Sequence, residues 1–343
     1  MQPRVHCAEY VSPGHPDRLA DAVAEACVQH ALALDPLAFA AIEVAVHTDK
    51  VFVTGRLAAG PAGPGDPSDF LPHLAREAYR AAGYGTRWTP APESLQVTHD
   101  LCCEPLLPGE RAIRDLSDDQ AICTGYACDS PATDFLPPAH WLALRLGERL
   151  CAWRREHATE RLGPDFKLLP VLEEWPAPGG RRRFAWRRLI LSVQHATGMS
   201  YEEQHRLLLP FLARACEELD EAVPGVARFE AAQLHLNGAG EFCQGGTHGD
   251  NGLSGKKLVV DGFGPGVPIG GGAFFGKDPC KPDRRGALRA RELAIAEVKA
   301  GAEEATVTLV FAPGEREPEV FVERGRAADA WIERVVAAGG GKA

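Results

Sequence analysis

Apolar positions along the chain fall into two periods. From Pro13 to Leu34 a turn-rich start gives way to Leu19, Val23, Cys27 and Ala31, one every fourth residue, which predicts a helix with a single buried face. From Ala41 to Ala58 the period changes to two: Ile42, Val44 and Val46 alternate, a turn falls near Thr48-Asp49-Lys50, and Val51, Val53 and Gly55 follow, which predicts a hairpin. Further helices are expected over Phe70–Ala82, Ala139–Glu156 (Trp141, Leu142, Leu146 and Leu150 inward), Tyr201–Leu219 despite Pro210, Arg284–Ala300 and Ala327–Ala338. Strands are expected over Arg183–Gln194, Gln233–Phe242, Lys257–Asp261, Ala305–Phe311 and Glu319–Glu323. Ala59–Asp69 and Leu106–Asp119 read as loops, and Gly339–Ala343 as a frayed tail.

Helices and strands mix without a strict βαβ rhythm. The fold class is therefore α+β, with helices layered on mixed or antiparallel sheets. The element pattern divides into three similar units: 1–115, 116–232 and 233–343, with real domains expected to interleave.

Composition narrows the function. The chain has 343 residues, 45% apolar and 24% charged, as in ordinary globular proteins. No stretch approaches the ~20 apolar residues of a membrane helix, and Met1–Arg18 has no apolar signal core, so the expectation is a cytoplasmic protein without a membrane partner. A net charge of −10 argues against a nucleic-acid partner. Against that background Lys256–Arg291 carries eight basic and three acidic residues, a local excess suited either to a solvated helix face or to a compact polyanion. The ten cysteines show no C-x-x-C pair and read as buried small apolar residues.

The basic segment is also glycine-rich. Seven of the fifteen residues from Gly262 to Gly276 are glycine, followed by Lys277 and Lys281, a combination suited to holding phosphates with backbone N–H groups and ammonium charges. Gly271–Lys277 satisfies G-x-x-x-x-G-K, but Asp278 stands where a P-loop needs Ser or Thr, and Pro265 and Pro268 spoil the preceding strand. Asp17 and Asp283 each sit at a loop-to-helix junction. Each is alone a plausible helix cap; beside a phosphate loop both become candidates for magnesium.

Six motifs, in order, resemble the S-adenosylmethionine synthetase (methionine adenosyltransferase) family. They are Ser12 with Gly14-His15-Pro16-Asp17 and Ala20-Asp21; Asp119-Gln120 with Gly125-Tyr126-Ala127; Pro164-Asp165 with Lys167; Ser192 with Gln194-His195; Gly245-Gly246 through Gly249-Asp250 and Gly252-Leu253-Ser254-Gly255-Lys256-Lys257; and Gly270-Gly271-Gly272-Ala273-Phe274 through Gly276-Lys277-Asp278-Pro279, Lys281 and Asp283-Arg284. The resemblance implies three α+β units in pseudo-threefold arrangement and a homodimer or tetramer with shared active sites. It implies adenosyl transfer from ATP to the sulfur of methionine, with triphosphate leaving and then hydrolysed to diphosphate and phosphate, and with two Mg²⁺ and one K⁺ as cofactors. By motif position Asp17 and Asp283 would bind Mg²⁺ and Glu43 would sit near K⁺. His15, Lys167, Lys256, Lys257 and Lys277 would surround the triphosphate, and Phe242 would stack on adenine. Asp119, Asp165, Asp250 and Lys281 would border ribose and the amino acid, with Glu9 and Arg56 in the same substrate-binding set.

The chain departs from the family pattern at Arg18, Lys256, Glu241, Ala121 and the Cys102-Cys103-Glu104-Pro105 stretch, and its C-terminus is shorter than the family's. The sharpest departure is Arg56, where the resemblance implies a glutamate for the methionine ammonium. Arg56 opens two alternatives: a related adenosyltransferase with another sulfur acceptor, thioether or thiol, or an inactive ATP-binding regulatory paralogue.

Overall fold

The computed structural model describes residues 3–176, 182–219, 222–223, 229–325 and 331–335. Its elements run β1 (Arg4–Cys7), β2 (Tyr10–Val11), α1 (Pro16–Leu34), β3 (Phe39–His47), β4 (Lys50–Ala58), α2 (Pro67–Ala82), β5 (Gln96–Glu104), α3 (Pro108–Ala112), β6 (Ala121–Cys128), α4 (Pro138–His157), β7 (Leu162–Pro176), β8 (Arg182–His195), α5 (Tyr201–Glu218), β9 (Leu234–Leu236), β10 (Gly252–Leu253), α6 (Leu258–Asp261), α7 (Pro282–Lys299), β11 (Glu304–Phe311), β12 (Glu319–Arg324) and β13 (Trp331–Val335).

Three sheets carry the fold, each with helices on one face. The first has the order β1-β7-β8-β9, with β2 also paired to β7; α4 and α5 cover it with Leu142, Leu146, Leu150, Leu208 and Leu212. The second, β10-β3-β4-β5, packs under α1 and α2, and the four residues of the α1 stripe are fully buried there. The third, β13-β12-β11-β6, packs under α7 through Ala290, Ala294 and Val298. Strand β10 joins the sheet built from β3–β5, and β6 joins the sheet of β11–β13, so segments distant in sequence complete each layer.

The structure corrects six expectations. Lys257–Asp261 is not a strand but holds the short helix α6: the Val260 and Asp261 N–H groups donate back to the Lys257 carbonyl and Gly262 N–H to that of Leu258. Gln233–Phe242 shrinks to β9: Asn237, with φ 41°, ends it, and its side-chain amide pairs Val193 on both backbone groups as a strand neighbour would. Within Ala327–Ala338, Trp331–Val335 is a strand paired with β12; the rest of that range, and the tail 339–343, lie outside the described residues. The loop expected over Leu106–Asp119 contains α3, and the loop over Ala59–Asp69 ends inside α2. Cys7 and Cys102 are exposed, whereas Cys27, Cys123, Cys128, Cys151 and Cys216 are buried as expected.

Candidate active site

The N-terminus of α1 is built by a loop that is fastened twice. Ser12 Oγ donates to the Pro164 carbonyl and accepts from Phe166 N–H, both at 2.8 Å, and Tyr84 OH donates to the Gly14 carbonyl at 2.6 Å. His15 is the N-cap: its Nδ1 accepts the Asp17 N–H at 3.1 Å, which places the ring proton on Nε2. Asp17 is 1% exposed, and Oδ1 accepts Leu253 N–H at 3.0 Å. Lys257 Nζ donates to Oδ2 at 2.5 Å, and Lys256 Nζ lies 3.6 Å from Oδ1. Two lysines from the Gly-Leu-Ser-Gly-Lys-Lys turn thus converge on a buried carboxylate 240 residues away in the chain.

Electrostatics follow from that burial. Burial would raise the Asp17 pKa, but the hydrogen bonds from Lys257 and Leu253 and the nearby positive charge hold it below the usual carboxylate value. His15 falls to about 4: burial is the main cause, Asp17 opposes it, and the charges of Lys257 and Lys167 add to it. Asp165 rises to about 6 through burial, although Gly246 N–H donates to it at 2.8 Å. Asp165 therefore shapes the 245–249 turn, and Asp250, at the end of that turn, is exposed.

The second lysine–carboxylate pair lies at the start of α7. Lys277 Nζ donates to Asp283 Oδ2 at 2.5 Å. The glycine-rich segment reaches that point by running against β3: Gly276 takes φ 76° and its carbonyl accepts Ile42 N–H at 2.8 Å, an approach so close that a Cβ there would sit 2.1 Å from the Ile42 carbonyl oxygen. Asp278, wholly buried, continues the seam by accepting Ala40 N–H at 2.8 Å, and Arg114 donates to its other oxygen. No helix follows Lys277 until Pro282, so the P-loop pattern is coincidental.

A third group surrounds the Phe39 ring, with Arg56 Cζ at 5.0 Å, Arg114 Cζ at 5.4 Å and Lys281 Nζ at 4.1 Å from its centroid. Arg56 is held between two carboxylates, Glu110 at 2.8 Å and Glu104 at 3.3 Å, and Lys281 bonds Asp118 at 2.7 Å. The neighbouring Asp119 is exposed and accepts Gln120 N–H. Elsewhere, Phe242 is half-buried, its backbone locked to His195: Phe242 N–H donates to Nε2 at 3.0 Å and its carbonyl accepts His195 N–H at 2.9 Å. Glu43 and Lys167 are exposed on β3 and β7, and Glu9 is half-buried between β1 and β2. The structure therefore brings His15, Asp17, Lys256 and Lys257 into contact, joins Lys277 to Asp283, and leaves Glu9 and Glu43 outside both groups.

Sequence reasoning missed several partners. Arg18 bridges Asp21 and Asp261, burial raises Asp21 to about 6, and Arg284 bonds Glu25 through both nitrogens at 2.9 Å. The basic excess of Lys256–Arg291 is thus largely engaged with α1 and with Asp118, Asp283 and Glu317. Only Asp21 carried a signal, its place one turn after Asp17; Arg114, in a segment read as loop, carried none.

Among the described residues no cluster of three His, Cys, Asp or Glu side chains stands ready for a metal ion. The donors nevertheless fit magnesium, which is commonly held by one or two carboxylates plus phosphate oxygens. Asp17 is a deprotonated carboxylate, and Gly272 leaves open the space over Asp283, where a Cβ would come within 2.3 Å of Oδ1.

Known proteins resemble the chain along most of its length. Three family models match in succession: the S-adenosylmethionine synthetase N-terminal domain over 4–99, central domain over 115–242 and C-terminal domain over 244–337. The S-adenosylmethionine synthase of Paramagnetospirillum magneticum is 33% identical over 324 residues, covering 92% of this chain and 79% of that protein. That of Zymomonas mobilis is 33% identical over 341 residues, covering 96% and 84%. An unusual S-adenosylmethionine synthetase from Campylobacter jejuni has a solved structure that superposes with a TM-score of 0.78 at 26% identity, over 93% of this chain and 81% of that one. With all three domains matched in order and a shared fold along nearly its whole length, the chain belongs to the S-adenosylmethionine synthetase family.

Proposed function

We propose that the chain transfers the adenosyl group of ATP to the sulfur of methionine, forming S-adenosylmethionine and releasing triphosphate. The observation that carries this reading is the convergence of Lys256, Lys257 and His15 on buried Asp17, with a matching Lys277–Asp283 pair at a second helix start. In this step a sulfur lone pair attacks C5′ and the C5′–O bond breaks toward the triphosphate. A thioether needs no general base, so the residues align the reactants and neutralise the leaving group. Lys167, Lys256, Lys257 and Lys277 supply positive charge. His15, neutral at physiological pH, offers its Nε2–H to a phosphate oxygen. Mg²⁺, when bound by Asp17 and Asp283, neutralises further phosphate charge.

Phe242 would face adenine from a backbone that His195 fixes. Asp119, Asp250 and Lys281 would border ribose and the amino acid, with Glu9 nearby, while Asp165 acts through the Gly246 turn. Glu43 has Thr54 and then Asp100 beside it in strand register, a row of oxygen donors that suits K⁺. The same cations would retain triphosphate for hydrolysis to diphosphate and phosphate. The test is to incubate the protein with MgATP, KCl and methionine and look for the sulfonium product by mass spectrometry; its absence across enzyme concentrations sinks the reading.

Arg56 favours methionine more than its charge alone suggests. Its guanidinium is offset by Glu104 and Glu110, so the three groups together carry +1 − 2 = −1. An ammonium meets a carboxylate-rich surface rather than a bare cation. Wild type should accordingly prefer methionine to its N-acylated or deaminated analogues, and Arg56→Glu, which crowds three carboxylates, should raise the methionine KM. Preference of wild type for the analogues would point to another acceptor.

A further inference from the structure

A cavity of about 410 Å³, within the size range of small-molecule sites, opens away from every residue proposed above for catalysis. It is enclosed by β1, the start of β8, β6, the first turn of α4, the 263–268 loop and the ends of β11 and β12. Three observations bear on what it takes. First, α4 begins here without a side-chain cap: Pro137 holds the cap position, Pro138 has no N–H, and the Ala139 and His140 N–H groups precede the first helical acceptor. The positive end of a 20-residue helix therefore faces the cavity. Second, His140, on that turn, is 7% exposed and lines the cavity, with its Nδ1 turned into the protein toward Gly264. Third, Arg4 and Arg182 line it without an ion pair among the described residues. Both are close enough to lower the His6 pKa, reinforcing its burial against Glu174.

The lining is polarised. The arginines come from the first sheet, whereas the carboxylates Glu304 and Glu323 come from the third, and Glu304 already accepts the Tyr126 hydroxyl at 2.5 Å. The lining also includes the aromatic rings of Phe184 and Phe263 and the rings of Pro137, Pro265 and Pro268.

We propose that this cavity is a binding site for a planar aromatic anion, its ring against Phe184 and Phe263 and its acidic group at the open end of α4 beside Arg4 and Arg182. An occupant would also brace the 263–268 loop, which runs directly into the glycine-rich segment carrying Lys277.

The test uses the whole chain with Mg²⁺ and a non-hydrolysable ATP analogue present, so that the nucleotide site is filled. Phenyl phosphate, phenylacetate and benzyl alcohol are titrated by calorimetry. At least one of the two anions should bind, at least about tenfold tighter than the neutral alcohol; the tighter anion tells whether the natural ligand is a phosphate or a carboxylic acid. Arg182→Glu should weaken that binding about tenfold or more. Gly266→Trp should abolish it by filling the cavity, at a glycine with open space around its Cβ position. Lys257→Ala should leave it unchanged, and neither cavity substitution should alter sulfonium formation. Binding protects the amides of 263–268 from hydrogen exchange. Failure of both anions to bind at millimolar concentration, equal binding of benzyl alcohol, or an unaltered affinity in Arg182→Glu overturns the proposal. Because the readout is binding, it stands whether or not the chain forms a sulfonium.

Discussion

At the scale of single residues, charge decides most outcomes. Asp17 and Asp283 are each held by a lysine, and as the proposed magnesium ligands they would hold positive charge where the leaving group gains negative charge. Asp17→Asn and Asp283→Asn should therefore lose turnover by two orders of magnitude or more, as is typical when electrostatic stabilisation is deleted, and Asp17→Asn, which leaves half-buried Lys257 without its carboxylate, should also melt lower. Near-wild-type turnover of both variants at limiting Mg²⁺ would remove the metal assignment. His140 makes a separate prediction. Burial, helped by Arg291, lowers its pKa from 6.5 to about 4 in the folded state. The unfolded chain binds the proton first, so stability is lost as pH falls from 6.5 toward 4. Between pH 7 and pH 5 this group alone should cost about 2 kcal/mol. Urea midpoints at the two pH values should converge in His140→Phe relative to wild type; an unchanged gap would mean that folded and unfolded states protonate the imidazole alike.

Elements are where sequence reading succeeded and failed for identifiable reasons. The α1 stripe and the β3–β4 hairpin were legible because each packs one face on a single core. Strand β5 was not: Gln96, Thr98, His99, Asp100 and Cys102 are exposed, so its alternation carries little hydrophobic signal. Strand β7 hid behind Gly163, Pro164 and Pro170, which it accommodates with register shifts after Leu162 and Val171. The phosphate-type motifs were legible as residues, but not the seam that places them. That seam depends on Asp278, whose buried pair with Arg114 spans 164 residues. Asp278→Asn leaves the buried Arg114 with only Asp118, 3.9 Å away, as a counter-charge and should cost about 3 kcal/mol in chemical denaturation. A loss below about 1 kcal/mol would mean that solvent reaches Arg114 freely.

For the whole molecule, the outer face of the second sheet matters. Leu253, Ala45 and Phe52 lie side by side across three strands, and both Leu253 and Phe52 are exposed. On the third sheet, Ile122 and Val310 are cross-strand partners and both exposed. Such faces suit association with a second copy, and we propose a homodimer or tetramer with shared active sites. Activity should then fall with dilution in step with dissociation, and light scattering should find the active species at a multiple of the 36.9 kDa chain. An active monomer would show that one copy completes the site.

The exchange of strands between layers bears on how this chain can be recombined with its relatives. A chimera joined near residue 115 takes β1–β5 from one parent and the remaining strands from the other. Its first sheet then pairs β1 of one parent with β7 of the other, and its second pairs β3 with a foreign β10. A junction near residue 243 leaves the first sheet intact but divides the second at β10 and the third between β6 and β11. Neither boundary yields a cassette. Each places the parental seam inside two hydrogen-bonded sheets and the side chains packed on them, so viable hybrids require parents whose strand pairs have co-varied.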